Sequence, residues 1–397
     1  MPVIWIILAY LLICVYFFMH LFYWIRSFKD HVPAVVPVLL VTVFMLTSGA
    51  MLLSVVIPAG NPVLRPVKKL ANAWIGIMVY GGLLLVPLDL VCLIFRLVRK
   101  HPLFGTGRRL FSTGLICLVL ILSVNVYGLI HARQTIVHYD TCSIEKDAGE
   151  KETLRIALAA DLHLGYNMGY PETVKMVELI NAEKPDLILL AGDIFDNELA
   201  AVDQPEKTME ALRGLKSTYG TYAVYGNHDL EEKLFCGFTI RFTASDDGST
   251  YDEFLKNSGI TVLKDETVLI DDSFYLSGRE DIFRAGKLGT GRLSVSSLIK
   301  DTDPEKPFLL IDHQPRNLSE IAETGTDLIV SAHTHDGQLF PGNLLIRLLY
   351  ENSFGHRVFG RMHSFTTSGI GCWGPYERVG TDSEIMIIDV SFKKAGD

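Results

Sequence analysis

With 397 residues the chain is long enough for two domains, and hydrophobic residues make up 49% of it, which points to a membrane part. Its formal charge of −9 is divided unevenly, because residues 1–135 carry 11 Lys and Arg against 2 Asp and Glu, whereas residues 136–397 carry 25 against 43. An acidic second part argues against general nucleic-acid binding, which needs a basic surface. The six cysteines are scattered and form neither a zinc motif nor a disulfide framework.

Residues 1–135 are predicted to form a four-helix transmembrane region. Four apolar segments, each close to or above the ~20 residues that cross a bilayer, cover residues 3–25, 35–58, 71–95 and 111–130. Buried core helices are the alternative, but four in succession joined by short basic loops favour membrane spans. The first and third loops carry more Lys and Arg than the second. This difference predicts that they are cytoplasmic, and that both termini and the following domain lie outside the cell membrane.

The second part is predicted to be an α/β domain over residues 154–397. The polar segment before it, residues 136–153, suits a linker or a first edge strand. Short apolar runs that indicate strands cover residues 154–160, 187–190, 221–224, 308–311 and 328–330, with a terminal strand pair near 364–367 and 384–390. Stretches with helical spacing cover residues 171–183 and 206–217. Strand–helix–strand order of this kind indicates helices that cover a sheet.

Five polar clusters each follow a predicted strand, and this shared position matters more than any single motif. They are Asp161-Leu-His163, Gly192-Asp193-Ile-Phe-Asp196, Gly226-Asn227-His228-Asp229, the lone His313 and Ala332-His333-Thr-His335. The C-terminal ends of strands in an open α/β sheet line one crevice, so these groups can converge. Asp161 and His163 lie two residues apart, and in extended backbone such side chains point to the same side. Imidazoles and carboxylates without thiolates suit Mn, Fe or Zn rather than a structural zinc site.

The order of these clusters resembles that in the calcineurin-like metallophosphoesterases. The residues in and around the clusters resemble most those of a membrane-tethered bacterial branch of that family. The pattern D-x-H, G-D-x-x-D, G-N-H-D, a lone H and H-x-H spans about residues 154–391. The resemblance implies a four-layer α/β/β/α sandwich and a phosphoric ester hydrolase with two divalent metal ions that activate a water molecule. It assigns Asp161, His163 and His335 to one ion, Asn227, His313 and His333 to the other, and Asp193 to both.

The resemblance also implies roles for residues that are not ligands. His228 is expected to donate a proton to the leaving oxygen or to hold the phosphate, and Asp196 is expected to orient the His228 imidazole. For Asp229 a structural role and a role in the reaction are both open. Asp336 departs from this branch, which often has glycine there, and its carboxylate beside the metals leaves the identity of the substrate open.

Two further features concern the substrate. Several arginines between and after the ligand clusters, Arg284 and Arg378 among them, are either phosphate clamps or ordinary surface charges. Residues 344–350 form either a core helix or a membrane-facing lip that admits a lipid tail. We expect a membrane-anchored phosphoesterase, favouring phosphodiesters, that acts on a cell-envelope or lipid-linked phosphoester and contacts membrane lipids. The alternatives are a nuclease with the same metal pattern, which the acidic charge opposes, and a non-catalytic membrane sensor, which the intact ligand set opposes.

Overall fold

The computed structural model describes residues 3–28, 32–58, 60–100, 103, 107–235, 238–242 and 248–393. It divides into two compact units. We call Met1–Leu129 with Leu234–Ile240 the helical unit, and Ile130–Lys233 with Arg241–Asp397 the α/β unit.

The helical unit is built on four helices, as predicted from the apolar segments. They are α1 (Val3–Ile25), α2 (Val35–Val56), α3 (Leu64–Arg99) and α4 (Arg108–His131). Each is long and apolar enough to cross a membrane. The 36-residue α3 extends beyond the predicted segment at both ends, because its terminal residues are polar but still compatible with a helix.

A polar contact joins α1 to α3 inside the helical unit. The hydroxyl of Tyr16 donates to Oδ2 of Asp89 at 2.8 Å. Nε2 of His20 lies 2.9 Å from the same oxygen. A carboxylate at membrane depth is costly unless it has such partners, so this contact accounts for an acid within an otherwise apolar helix.

The α/β unit begins with a strand. For the segment after α4 a linker and a first edge strand are both predicted, and the structure has the strand. Strand β1 (Thr135–Ile144) is an edge strand that pairs in parallel with the last strand of the chain. The strands that follow along the chain are β2 (Thr153–Ala159), β3 (Leu187–Ala191), β4 (Thr221–Val224), β5 (Glu232–Phe235), β6 (Phe238–Phe242), β7 (Thr261–Val262), β8 (Glu266–Ile270), β9 (Phe274–Gly278), β10 (Phe308–Ile311), β11 (Leu328–Ser331), β12 (Gly355–Phe359), β13 (Met362–Thr366) and β14 (Ser383–Phe392). Of these, β5 and β6 lie partly in Leu234–Ile240 of the helical unit.

The described residues after α4 include seven α-helices. They are α5 (Tyr170–Ala182), α6 (Pro205–Arg213), α7 (Ser249–Asn257), α8 (Ile282–Leu288), α9 (Val295–Ile299), α10 (Leu318–Ala322) and α11 (Gly342–Leu349). The predicted helices at 171–183 and 206–217 correspond to α5 and α6. The second of them ends early, at Arg213, because the next residue is Gly214.

Two six-stranded mixed sheets form the centre of the α/β unit. Their strand orders are β1-β14-β2-β3-β4-β7 and β12-β13-β11-β10-β9-β8, while β5 and β6 form a separate two-stranded sheet. The predicted terminal pair is wrong, because β13 belongs to the second sheet and β14 to the first. Both segments are apolar enough to be strands, but their pairing depends on contacts distant in sequence.

Alternation of side chains along the strands produces four layers. In β2, Leu154, Ile156 and Leu158 enter a core shared with β10 and β11 of the other sheet. Ala157 and Ala159 enter an outer core, together with α5, α6 and α7. On the far side, α9 and α10 pack with the outward residues of β10 and β11. The expected α/β/β/α sandwich is therefore confirmed.

Candidate metal centre

The structure brings six of the seven predicted ligands into two clusters. The first cluster is Asp161, His163 and His335, and the second cluster is Asp193, His313 and His333. Within each cluster the ligand atoms lie within 4.8 Å of one another. Contrary to the single sheet that we assumed for the crevice, these residues follow strands of both sheets, since β2 and β3 belong to one and β10 and β11 to the other.

The backbone at these positions is not extended. Asp161 and His163 have φ values of 50° and 47°, and His333 and His335 have φ values of 71° and 50°. The extended backbone from which a common direction of Asp161 and His163 is predicted is therefore wrong, and His333 and His335 are not extended either. Left-handed backbone is unfavourable for residues with a Cβ, and it aims the side chains into the space between the strand ends.

The first cluster is buried and poorly satisfied by protein groups alone. Nε2 of His163 lies 3.2 Å from Nε2 of His335, which lies 3.9 Å from Oδ2 of Asp161. Burial raises the pKa of Asp161 to about 8 and lowers the pKa of His163 to about 3. Burial also lowers the pKa of His335 well below its ordinary value. Neutral imidazoles facing a carboxyl group form the donor set that a divalent cation requires.

In the second cluster the tautomer of His313 can be inferred from its contacts. Nδ1 of His313 lies 2.8 Å from the carbonyl oxygen of Ala191, so Nδ1 carries a proton. Nε2 lies 3.1 Å from Oδ2 of Asp193 without hydrogen-bond geometry to any described residue. In neutral His313 this places a lone pair against a carboxylate oxygen. Either a second proton or a shared cation must separate them. Burial alone would lower the pKa of His313, but the facing carboxylate of Asp193 raises it well above its ordinary value, and a cation in place of this proton would satisfy the same two atoms.

Asp193 lies at the centre of the site. Burial alone would raise its pKa, but the facing His313 and the neighbouring His228 and His163 lower it well below its ordinary value, so Asp193 is ionised. Its Oδ1 accepts a hydrogen bond from the backbone N–H of His228 at 2.7 Å. A Cβ at position 226 would collide with this oxygen, so Gly226 permits the close approach.

Asn227, the remaining predicted ligand, follows β4 in the first sheet. Its Oδ1 is buried and has no hydrogen-bond partner among the described residues. A buried amide oxygen without a partner is unusual in a folded protein. Such an oxygen suits a cation ligand, and it lies on the residue between Gly226 and His228, both of which contact Asp193.

The structure places Asn197, rather than the predicted Asp196, at Nδ1 of His228. Nδ1 of His228 lies 2.7 Å from Oδ1 of Asn197, whose Nδ2 donates to the carbonyl of Leu230 at 3.4 Å. Oδ1 of Asp196 instead lies 3.7 Å from Nδ1 of His163, in the first cluster. The left-handed backbone of Asn197, with φ of 63°, turns its side chain towards His228, and the spacing of the motif did not indicate this turn.

Asp229 has the structural role that sequence analysis offered as an alternative. Its two carboxylate oxygens accept hydrogen bonds from the backbone N–H groups of Phe195 and Gly226 at 2.8 and 2.7 Å. These bonds join the segments that follow β3 and β4. The side chain of Arg284, which is also buried, donates to the carbonyl of Asp229 at 2.9 Å, so Arg284 supports this junction.

Arg378, for which the sequence predicts either a phosphate clamp or a surface charge, has a structural role beside the first cluster. Its side chain is fully buried. It donates to the carbonyl oxygens of His335, Ser368, Gly369 and Gly371 at 2.7 to 3.1 Å. Arg378 therefore holds backbone around the first cluster. No local sequence motif predicts such a role, because the partners of Arg378 lie up to 43 residues away.

Asp336 is buried, and burial raises its pKa to about 6. Its Oδ2 lies 3.8 Å from a guanidinium nitrogen of Arg347 in α11. Asp336, which stands where glycine is expected, therefore points towards α11, and Arg347 offsets part of its charge.

The sequence model of the calcineurin-like phosphoesterase family matches residues 154–337. A metallophosphoesterase of Helicobacter pylori is 31% identical over 61% of this chain and 60% of its own length. A zebrafish (Danio rerio) transmembrane protein with a metallophosphoesterase domain is 28% identical over 70% of this chain and 62% of its own length. The chain thus spans about six tenths of these relatives. The NAD nucleotidase structure of Haemophilus influenzae aligns with a TM-score of 0.36 and 14% identity, over 62% of this chain and 48% of that one.

Proposed function

Because residues 154–337 belong to the calcineurin-like phosphoesterase family, we propose that this chain is a multi-pass membrane phosphoesterase that uses two divalent metal ions. The observation that carries the proposal is the pair of adjacent buried clusters, each with three groups able to bind a cation. Four apolar helices in the same chain support attachment to the membrane.

Each ion has a proposed ligand set. Asp161, His163 and His335 would hold one ion, and Asn227, His313 and His333 would hold the other. Asp193, which already contacts His313 through Oδ2 and the His228 backbone through Oδ1, would contact both ions. Two such cations polarise phosphoryl oxygens and lower the pKa of a water molecule. Nitrogen and oxygen ligands without thiolates suit Mn, Fe or Zn.

The residues beside the ions have their own part in the reaction. We assign to His228 the transfer of a proton to the leaving oxygen, which is the step that a positioned imidazole performs well near neutral pH. Asn197 acts as a positioning residue, because its Oδ1 accepts from Nδ1 of His228 and leaves Nε2 for the substrate. The Trp373 ring lies 6.0 Å from the His228 ring, between centroids, and limits its movement.

For the substrate, we propose a cell-envelope or lipid-linked phosphoester, with a diester preferred. The membrane helices bring lipids to the enzyme, and the charge balance of residues 136–397, 25 basic against 43 acidic, disfavours a nucleic acid. The basic first and third loops support an extracytoplasmic α/β unit. These points support the proposal through charge and composition.

The test uses the full chain in detergent, stripped with a chelator and reloaded with Mn, Zn, Fe or Mg. Turnover of bis-(p-nitrophenyl) phosphate and p-nitrophenyl phosphate is measured, together with bound metal. We expect metal-restored turnover that Asp193→Asn abolishes. Asp301→Asn is the matched control, because the Asp301 side chain is 87% exposed and is not one of the proposed ligands.

The ratio of diester to monoester turnover then defines the substrate class. Single-stranded DNA added as a third substrate tests the nuclease alternative. Two bound metal ions without turnover of any of these compounds would favour the sensor alternative. Failure to bind metal would refute the proposed centre itself.

A further inference from the structure

Helix α11 exposes leucines to solvent although it lies beside the candidate metal centre. None of its eight residues, all of which the structure describes, is buried. Leu344, Leu345, Leu348 and Leu349 are 52%, 62%, 82% and 75% exposed. The core-helix alternative for residues 344–350 is therefore wrong. These residues are apolar enough for a core, but no other part of the α/β unit that the structure describes covers them.

The leucines form one continuous stripe. At 100° per residue they fall within an arc of about 140°, while the half-buried Asn343 and Ile346 lie on the other side, towards the domain. A surface helix of a soluble domain normally has the opposite arrangement, with its apolar stripe turned to the core. The apolar face of α11 is thus directed outward.

The beginning of α11 is attached firmly to the segment that carries His335. Gly337 has φ of 78°, and a Cβ there would collide with the backbone of Gly342 and Asn343 at the start of the helix. Arg347 of α11 faces Asp336, the residue after His335. The helix and the ligand segment therefore move together, and whatever binds the leucine face is brought close to the first cluster.

We propose that α11 lies in the interface of a lipid bilayer, with its four leucines at the boundary of headgroups and acyl chains. A bilayer is always within reach, because the same chain carries four helices that can cross one, and only three residues connect α4 with β1. Phe340, which is 48% exposed just before α11, extends the apolar surface. Arg347, beside the stripe, suits the lipid phosphate. Such a helix binds through its buried apolar area.

This placement of α11 also narrows the range of possible substrates. The inference about the substrate rests on the proposed function. A helix embedded at headgroup depth holds the neighbouring metal ligands near the phosphates of membrane lipids. The substrate class that fits is a phosphodiester whose lipid part stays in the bilayer during hydrolysis. A soluble diester would reach the same ions without using α11.

The first experiment tests the bilayer contact without activity. The full chain with Leu348→Trp is reconstituted in phosphatidylcholine vesicles containing phosphatidylglycerol, with or without brominated acyl chains. The four native tryptophans are subtracted with the parent protein, and Lys300→Trp is the control because its side chain is 66% exposed. We expect the fluorescence of the introduced tryptophan to be blue-shifted and quenched by bromine in Leu348→Trp. In Lys300→Trp we expect neither the shift nor the quenching. Emission like that of Lys300→Trp overturns the proposal, and a blue shift without quenching assigns the face to a second copy of the chain instead.

The second experiment tests the consequence for the substrate. Leu345→Glu with Leu348→Glu is compared with the parent on phosphatidyl-p-nitrophenol in the vesicles and on soluble bis-(p-nitrophenyl) phosphate. We expect about tenfold or more lower turnover of the lipid diester, with turnover of the soluble diester unchanged. Equal loss on both substrates, or loss on neither, contradicts the substrate inference. If the parent hydrolyses neither compound the proposed function fails, and the quenching result still decides the bilayer contact.

Discussion

The buried guanidinium of Arg378 connects the segment that carries His335 to the segment after β13. It donates to the carbonyl of His335 at 3.0 Å and to those of Ser368, Gly369 and Gly371 at 2.7, 3.1 and 2.7 Å. Gly371 in turn donates to the carbonyl of Asp161 at 2.9 Å. Arg378 therefore holds backbone on both sides of the first cluster, and its replacement tests how the site is supported.

In Arg378→Met the carbonyls of Ser368 and Gly371 lose their only donor among the described residues, whereas those of His335 and Gly369 keep the backbone N–H groups of Gln338 and Glu384. Each buried acceptor left without a partner costs about 1–3 kcal/mol, and for two acceptors the middle of that range gives a loss of about 4 kcal/mol in the free energy of unfolding. For a unit of this size 1 kcal/mol corresponds to about 2–4 °C, so Tm should fall by about 8–16 °C. Arg378→Lys keeps the charge but lacks the planar fork, so its effect should be intermediate.

The assay is thermal unfolding of the full chain in detergent, followed by the susceptibility of the α/β unit to proteolysis. Lys300→Met is the matched control, since this side chain is 66% exposed and its partner Asp301 is 87% exposed. Exposed ion pairs contribute about 0–1 kcal/mol, so the control should shift Tm by no more than about 4 °C. If Arg378→Met shifts Tm by no more than this control, the argument that the carbonyls depend on Arg378 is refuted.

Two further predictions concern the proton donor and a buried acid. His228→Ala should lower kcat by about 10²-fold or more for a phenyl diester and by less for a p-nitrophenyl diester, because a poor leaving group needs the proton more; equal losses with unchanged metal content would contradict this role. Burial raises the pKa of Glu377 to about 8, so the folded state binds more protons than the unfolded state between the ordinary pKa and about 8. Stability should therefore decrease as pH rises through this window, by up to roughly 4–5 kcal/mol. Glu377→Gln should remove this dependence of Tm on pH, and an unchanged slope would show that another group titrates.

Much of the fold could be predicted, because buried strands are short apolar runs with clear ends. The predicted strands 221–224 and 308–311 coincide with β4 and β10. The types of ligand could also be predicted. Carboxylates and imidazoles that directly follow several strands are seldom needed for structure alone, so their number indicates a metal site. Convergence of six of these residues follows from the meeting of strand ends.

The remaining features depend on contacts that spacing does not encode. Asp196 and Asn197 are neighbours in sequence, and only the left-handed φ of Asn197 decides which of them meets Nδ1 of His228. The division of β13 and β14 between two sheets is set by partners elsewhere in the chain. For α11, periodicity indicates an apolar stripe but not which way it faces. The close backbone contact at Gly337 decides that direction.

Backbone strain and unfavourable burial of charge occur at the same positions of this site. Five predicted ligands, Asp161, His163, Asp193, His333 and His335, have left-handed backbone, and each such residue costs about 1–2 kcal/mol. The sum, about 5–10 kcal/mol, is comparable with the stability of an entire domain. Such conformations persist only where the surrounding structure enforces them, as the hydrogen bonds of Arg378 and Asp229 do here. Since the same side chains present oxygen and nitrogen atoms to one another, a cation bound between them would relieve the electrostatic part of this cost. The arrangement that is least favourable for the chain alone is therefore the one best suited to hold metal ions.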